Sequence, residues 1–261
     1  MSIKNLEIVK KKEHRLSRRL TIDTLEPYVN IRPIIKKADN EAASILVEAY
    51  ADSLLLNWIT GSMKDPKKKH DTYQDMFKML IRAAASKSRE FAVQINGCKG
   101  ILLWSEGNSD ILAINNAISK RKLWSSLGGI ATMKAILAHH RNLTKMKKKI
   151  VGDRNHLSIN FIGVLPAERR RHFGTSLLQY VLKKADEVQL PVFAEVWSQD
   201  ILGWFKKYGF EVHVQKDLND KENICIFYLL REPRQNIETQ VTNDPIAALN
   251  LEPPREDTIT A

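Results

Sequence analysis

The sequence predicts an α/β (α+β) domain, and three stretches carry that expectation. Ile162 to Leu178, IGVLPAERRRHFGTSLL, reads as a strand feeding a basic, glycine-bearing turn that opens an amphipathic helix. Phe91–Ile95 and Gly100–Trp104 flank Asn96-Gly97, a pair that accepts the positive φ of a hairpin turn. From Pro191 onward, PVFAEVW reads as a buried strand, Ile201 to Tyr208 as a short helix stopped by Gly209, and Phe210 to Val214 as an alternating strand.

The remaining elements follow in chain order. Asn30 to Lys36 reads as a first strand. Asp39 is placed as the N-cap of a helix whose Ala42, Ile45, Leu46, Ala49 and Tyr50 share one face. Ala51 to Ile59 reads as a second, short helix with Trp58 in the core. After the hairpin comes the strand His156 to Val164, which Pro166 ends by withholding an N–H. Leu177, Leu178, Val181 and Leu182 then repeat at helical spacing, and Ile224 to Leu230 supplies a last strand.

With 261 residues and 43% hydrophobic composition the chain is long enough for one sizeable domain with tails. No run approaches the ~18 apolar residues of a membrane span. The start lacks the apolar core of a secretory signal, so a cytoplasmic location is expected. Cys98 and Cys225 are expected as reduced core residues. His139 and His140 diverge in direction on a helix, with no carboxylate or cysteine spaced to join them, so no metal site is expected.

The net charge of +11 is unevenly spread. Residues 1–20 carry seven Lys or Arg against two Glu, whereas the segment from Glu232 carries two Arg against six acids and four prolines. The expected organisation is a basic extension over 1–28, a domain over 29–231, and a disordered acidic tail over 232–261. The basic head reads foremost as a solvated face, and nucleic acid is not the expected partner.

The turn between strand and helix suits an anion. The first helical turn has free N–H groups with the positive end of the helix dipole behind them, Arg169, Arg170 and Arg171 add charge, and Gly174 permits close backbone approach. The alternative is an ordinary strand–turn–helix corner with solvated arginines.

Val164, Pro166, Arg169 and Gly174 also match the acetyl-CoA-binding signature of the GNAT superfamily of N-acetyltransferases, usually V-x-P-x-x-R-G-x-G-x-G, which this segment resembles. Arg170 and His172 stand at the family's first two glycines. Their amides are expected to keep a phosphate cradle with negative φ. WFKKYGFEV is similar to the family's closing F-Y-x-x-x-G-F. The IRP beginning, AYAD, the hairpin and a helical insertion over 109–150 resemble the puromycin-acetyltransferase-like branch.

The resemblance implies a GNAT fold: a mixed, mostly antiparallel twisted sheet, splayed at its centre, with helices on both faces. It implies acetyl-CoA as co-substrate. Backbone groups of Ile162, Gly163 and Val164 would hold the pantetheine arm, and Arg169, Arg170, Arg171, His172, Phe173, Gly174 and Thr175 the pyrophosphate. Lys145, Lys147, Lys148 and Lys149 would reach the adenosine 3′-phosphate if the insertion folds over the groove; a solvated loop is the alternative. It further implies a small primary amine as acceptor, with Glu195 as the base, because a carboxylate in an otherwise apolar strand has a burial cost that function explains; a carboxylate that faces solvent or pairs with a nearby arginine is the alternative. Ser158 and Asn160 would line the same cleft.

One position departs from the pattern. The family's usual thiol-protonating tyrosine falls at Phe205, Tyr208 lies three residues on, and Ser198, Gln199 or a water would have to substitute. Two alternatives therefore stand beside the small-amine enzyme: a catalytically weakened acyl-CoA sensor or interaction protein, and a protein or polyamine acetyltransferase. The residues leave the oligomeric state open.

Overall fold

The computed structural model describes residues 29–35, 37–61, 63–107, 130–219 and 224–235. The basic extension over 1–28, the first part of the insertion and the tail from 236 lie outside the described residues.

The strands are β1 (Ile31–Pro33), β2 (Ala92–Ile95), β3 (Gly100–Glu106), β4 (Leu157–Val164), β5 (Val192–Val196), β6 (Glu211–Asn219) and β7 (Ile224–Arg231). They form one sheet in the order β1-β2-β3-β4-β5-β7-β6. Every neighbouring pair is antiparallel except β4 with β5. This is the mixed, mostly antiparallel sheet that the resemblance implies.

The parallel pair is short. Leu157, Ser158 and Ile159 pair with Val192, Phe193 and Ala194, and beyond them the strands part. A bulge explains the parting. Leu103 of β3 pairs with Phe161 and Trp104 with Ile159, so Asn160 is an extra residue with no β3 partner. Such an insertion bends its strand and moves the following side chains to the opposite face, which brings Ser158 and Phe161 to the same side.

The helices are α1 (Asp39–Ala49), α2 (Leu54–Ile59), α3 (Pro66–Lys87), α4 (Ile130–Val151), α5 (Phe173–Glu187) and α6 (Gln199–Lys206). They cover both faces. A Cβ added at Gly163 would stand 2.9 Å from Ala49 Cβ and 3.0 Å from Leu46, so α1 lies against β4 at a distance only glycine permits. Gly100, whose side faces the other way, looks toward Leu177 of α5.

Several expectations change. The first strand is only Ile31–Pro33. Asp39 is not a cap but the first residue of α1, and its buried carboxylate accepts from Arg82 Nε on α3. The second helix starts at Leu54, where Ser53 Oγ accepts from Leu56 N at 3.4 Å, and its Trp58 is 37% exposed rather than core. Cys98 lies in the hairpin turn at φ 62° and is buried there.

The largest omission is α3. Asp65 accepts from Lys67 N at 3.0 Å, Pro66 fills the first turn, and Tyr73, Phe77, Leu80, Ile81 and Ala84 are buried at helical spacing. Those signals are all local. The sequence reading assigned the stretch no element.

Two apolar clusters result. The larger joins α1, α3 and α5 to the sheet. The smaller gathers Leu55, Ile59, Val151, Phe193, Ile226 and Tyr228, with Ile136, Leu143, Met146 and Ile150 of α4 packed on it. The far end of α5 is pinned by Arg231, whose guanidinium donates to both Asp186 oxygens at 2.8 and 2.9 Å and to Tyr208 O at 3.0 Å.

Candidate active site

Where β4 and β5 separate, a cleft of about 980 Å³ opens and runs from the basic turn to Glu195. At the turn, Pro166–Glu168 forms a single 3₁₀ turn, Arg169 is extended, and Arg170 and His172 sit at φ 63° and 60°. The expectation of negative φ is therefore corrected. These residues take the left-handed conformation that glycine adopts without strain, at roughly 1–2 kcal/mol for a residue with a Cβ. His172 is the residue before α5, and no side chain caps the helix, which leaves its first N–H groups to a ligand.

Nine of the ten predicted cofactor residues line this cleft: Ile162, Gly163, Val164, Arg169, Arg170, His172, Phe173, Gly174 and Thr175. Arg171 does not. Its guanidinium is held by Glu168, which also meets Lys99 at 3.3 Å. The Arg171 hydrogen bond in the first place, with that of Lys99, holds the Glu168 carboxyl below its ordinary range. Arg169 reaches back to Ala49 O at 3.3 Å and ties the turn to the end of α1. Phe173 is buried and contributes packing as well as its backbone.

The Ile162 backbone is engaged in a way the sequence does not suggest. Tyr50 Oη donates to Ile162 O at 3.1 Å and accepts from Ile162 N at 3.2 Å, so one hydroxyl satisfies both groups on the free edge of β4. The Tyr50 ring packs against Phe77, Phe161 and Trp197 at centroid distances of 5.7 to 5.9 Å. Burial pushes its hydroxyl up to about 12, against a smaller opposing effect of the Ile162 backbone.

At the other end, Glu195 lies on the sheet face that carries Ser158, Phe193 and Phe161. Its side chain is 8% exposed. Oε1 accepts from Trp197 Nε1 and lies 3.0 Å from His139 Nε2 of α4, whose imidazole stands edge-on to Trp197. Oε2 is buried without a hydrogen-bond partner among the described residues. Across the ladder, Tyr228 pairs with Glu195, and burial together with that carboxylate pushes the Tyr228 hydroxyl up. Asn160 lines the cleft, donating to Ser105 Oγ at 3.1 Å.

His139 corrects the expectation that it lacks a carboxylate partner: the partner is on β5, remote in sequence. One signal was present. His139 falls on the stripe Ile136, Leu143, Met146, Ile150, a polar residue on the apolar face of an amphipathic helix.

For Lys147 the expectation of a phosphate contact is corrected too. Lys147 Nζ lies 5.6 Å over the Phe193 ring, and Phe193 pairs with Ser158 near the start of β4, whereas the phosphate turn follows its end. Phe205 is buried against Trp204 and Phe210, and Tyr208 Oη donates to Thr175 Oγ1 at 3.2 Å. Ser198, Gln199 and Cys225 do line the cleft, and burial, foremost, pushes the Cys225 thiol up to about 11.

Among the described residues no group of three His, Cys, Asp or Glu is placed to hold a metal ion. None of their helices is long and apolar enough to cross a membrane.

Residues 135–210 match the family model described as Acetyltransferase (GNAT) family. The structure resembles that of the histone acetyltransferase HPA2 and related acetyltransferase from Corynebacterium glutamicum, with a TM-score of 0.57 and 14% identity over 81% of this chain and 99% of that one. It also resembles arylalkylamine N-acetyltransferase 2 from Aedes aegypti, with a TM-score of 0.50 and 9% identity over 80% and 100%. No curated protein sequence matches significantly. The matched segment contains both the basic turn and Glu195, and the fold is shared with these solved acetyltransferases.

Proposed function

We propose that the chain is an acetyl-CoA-dependent N-acetyltransferase acting on a primary amine of a small molecule, near the puromycin-acetyltransferase-like branch. The observation that carries this reading is the single cleft joining the uncapped, basic start of α5 to the enclosed carboxylate of Glu195. Acetyl-CoA supplies an activated acetyl group as its thioester. The groups present fit it: N–H groups and cations at Arg169, Arg170 and the start of α5 for the pyrophosphate, and the unpaired edge of β4 for the arm. Tyr50 has to leave Ile162 before that residue can pair with the arm.

Glu195 is positioned to act as general base. The acceptor arrives as an ammonium ion, which has no lone pair for attack, and Oε2 is the carboxylate oxygen not already holding a donor. The freed amine forms its C–N bond to the acetyl carbon as the C–S bond breaks. Its second proton leaves with the thiol, since Phe205 has none to give. The aromatic walls of Tyr50 and Trp197 narrow this end of the cleft, which favours a small acceptor over a folded protein.

A second reading, an acyl-CoA-binding protein that transfers nothing, is favoured by Phe205 and by the Tyr50 hydroxyl on Ile162. One experiment separates them: thermal shift with acetyl-CoA, then thiol release over a panel of amines. Stabilisation approaching about 2.7 kcal/mol at a hundredfold excess over Kd, with turnover, is expected. Stabilisation without turnover favours the sensor, and no stabilisation removes both.

A further inference from the structure

We infer that the acidic segment 236–261 of this chain docks along the exposed face of α4. The contact is separate from the acetyltransferase reading, because it involves the outer face of the helix and no group of the cleft. That face is uniformly basic. α4 runs IATMKAILAHHRNLTKMKKKIV without one acidic residue. Lys134, Arg141, Lys145, Lys148 and Lys149 are exposed at the spacing of a single helical face, opposite Ile136, Leu143, Met146 and Ile150, which pack toward the sheet.

Such a face is unfavourable for the helix that bears it. Arg141, Lys145 and Lys149 follow one another at four-residue intervals, where like charges repel. Lys148 and Lys149 in the last turn gain from the helix dipole, but Lys134, Arg141 and Lys145 lie outside that turn. Among the described residues none of the five cations is in an ion pair.

The occupant follows from where the described chain ends. Arg154, three residues beyond α4, donates from Nη1 to both Glu232 oxygens at 3.0 and 3.2 Å, which holds the first acid after β7 beside the C-terminal end of that helix. An exposed pair of this kind adds little stability, but it marks where the acidic segment departs. The chain then passes α5, where Arg234 N donates to Asp186, and residues 236–261 follow Gln235, 26 in all. At 1.5 Å per residue α4 is about 33 Å long, and 26 extended residues reach about 85 Å, enough to turn back and follow the whole helix. The segment carries Glu238, Asp244, Glu252, Glu256 and Asp257 against Arg255, five acids for the five cations of the face.

The test is carbodiimide coupling of the full chain, which joins a lysine amine to a carboxyl group only where the two touch, read by peptide mapping of the band that runs as one chain. Lys67 and Lys68, exposed at the start of α3, serve as the reference lysines. At about 0.01 M salt, coupling of the five acids to Lys145, Lys148 and Lys149 is expected to exceed coupling to the reference about tenfold. The excess should vanish at about 1 M salt, where the screening length falls to ~3 Å. Arg141→Glu with Lys145→Glu should abolish the excess. Adding Asp244→Lys and Glu252→Lys in that background should restore it, now between amines on the segment and carboxyls on the helix.

A second measurement leaves the helix untouched. Replacing the five acids by their amides should speed hydrogen exchange of the α4 backbone about threefold at low salt. Equal coupling to Lys67 and Lys68, an excess that survives 1 M salt, or unchanged exchange in the amide variant overturns the docking. Coupling that goes instead to the lysines of residues 1–28, or that forms only between two copies of the chain, overturns it as well.

Discussion

At its turn end the cleft is made by consecutive residues, Val164 to Thr175, and the backbone does most of the work. At its Glu195 end it is made by Tyr50, Asn160 and Trp197, brought from the ends of α1, β4 and β5, with His139 of α4 set against Glu195. The first end tolerates side-chain change as long as the φ values and the N–H directions survive. Arg170 and His172 show this, holding glycine-like conformations with ordinary side chains. The second end depends on each partner, because removing one leaves a polar group buried and unsatisfied. Cofactor grip and chemistry should therefore be separable by substitution.

The largest separation is expected for Glu195→Gln. The amide keeps the volume and can still accept from Trp197 and His139, yet takes no proton. kcat should fall about 10²- to 10⁴-fold, with acetyl-CoA affinity unchanged by calorimetry. A parallel loss of affinity would join the two ends and break the comparison.

Next in size is an attack on the far end of α5, the helix whose start makes the turn end. Arg231→Met removes a guanidinium that is 3% exposed and leaves the half-buried Asp186 without its partner at the end of α5. A loss of about 3 kcal/mol in denaturant melts is expected at neutral pH. Burial alone would raise the Asp186 carboxyl, but the hydrogen bonds from Arg231 and Arg234 N, with the charges of both arginines, outweigh it and hold it below 3.8. A depressed carboxyl stabilises above its unfolded value and loses that contribution as pH falls through the folded one. Parent and variant should therefore converge well below 3.8. An unchanged gap there would mean that the pair acts by packing.

The sheet, the α5 turn and the Glu195 strand were legible because each is written in a short window: alternation, Pro166, Gly174, and one acid among apolar residues. α3 is equally local, in Asp65-Pro66 and its apolar stripe at helical spacing. The partner of His139 was not legible. It lies on another element, and only the stripe hinted that α4 turns a histidine inward. Tyr50 on Ile162 spans 112 residues and depends on the Asn160 bulge that frees the β4 edge, which a pairing register alone reveals. The positive φ of Arg170 and His172 was hidden for a different reason: residues with a Cβ disfavour the left-handed region, and the turn imposes it on them.

A smaller effect tests the strain. His172→Gly and Arg170→Gly should each stabilise the chain by about 0.5–1 kcal/mol, since relief of the left-handed conformation exceeds the added freedom of the unfolded glycine. Thermal melts without ligand measure it. kcat should not change with either; destabilisation would mean that the side chains hold the turn and the backbone does not.

A last effect of similar size crosses between the two ends. Tyr50→Phe keeps the ring among Phe77, Phe161 and Trp197 but releases Ile162 N–H and C=O to the cleft. A competitor for the cofactor arm worth about 1 kcal/mol disappears, so acetyl-CoA should bind about fivefold more tightly by calorimetry. A second reading comes from alkaline melts. The Tyr50 hydroxyl is raised from 10.0 to about 12, so the folded state keeps a proton that the unfolded state loses. Its contribution is full below 10.0 and disappears as pH rises toward about 12, a slope the phenylalanine variant should lack. Weaker binding of acetyl-CoA by that variant would recast Tyr50 as part of the cofactor site. The hydroxyl would then belong to the turn end's function although it is supplied by the other end's packing.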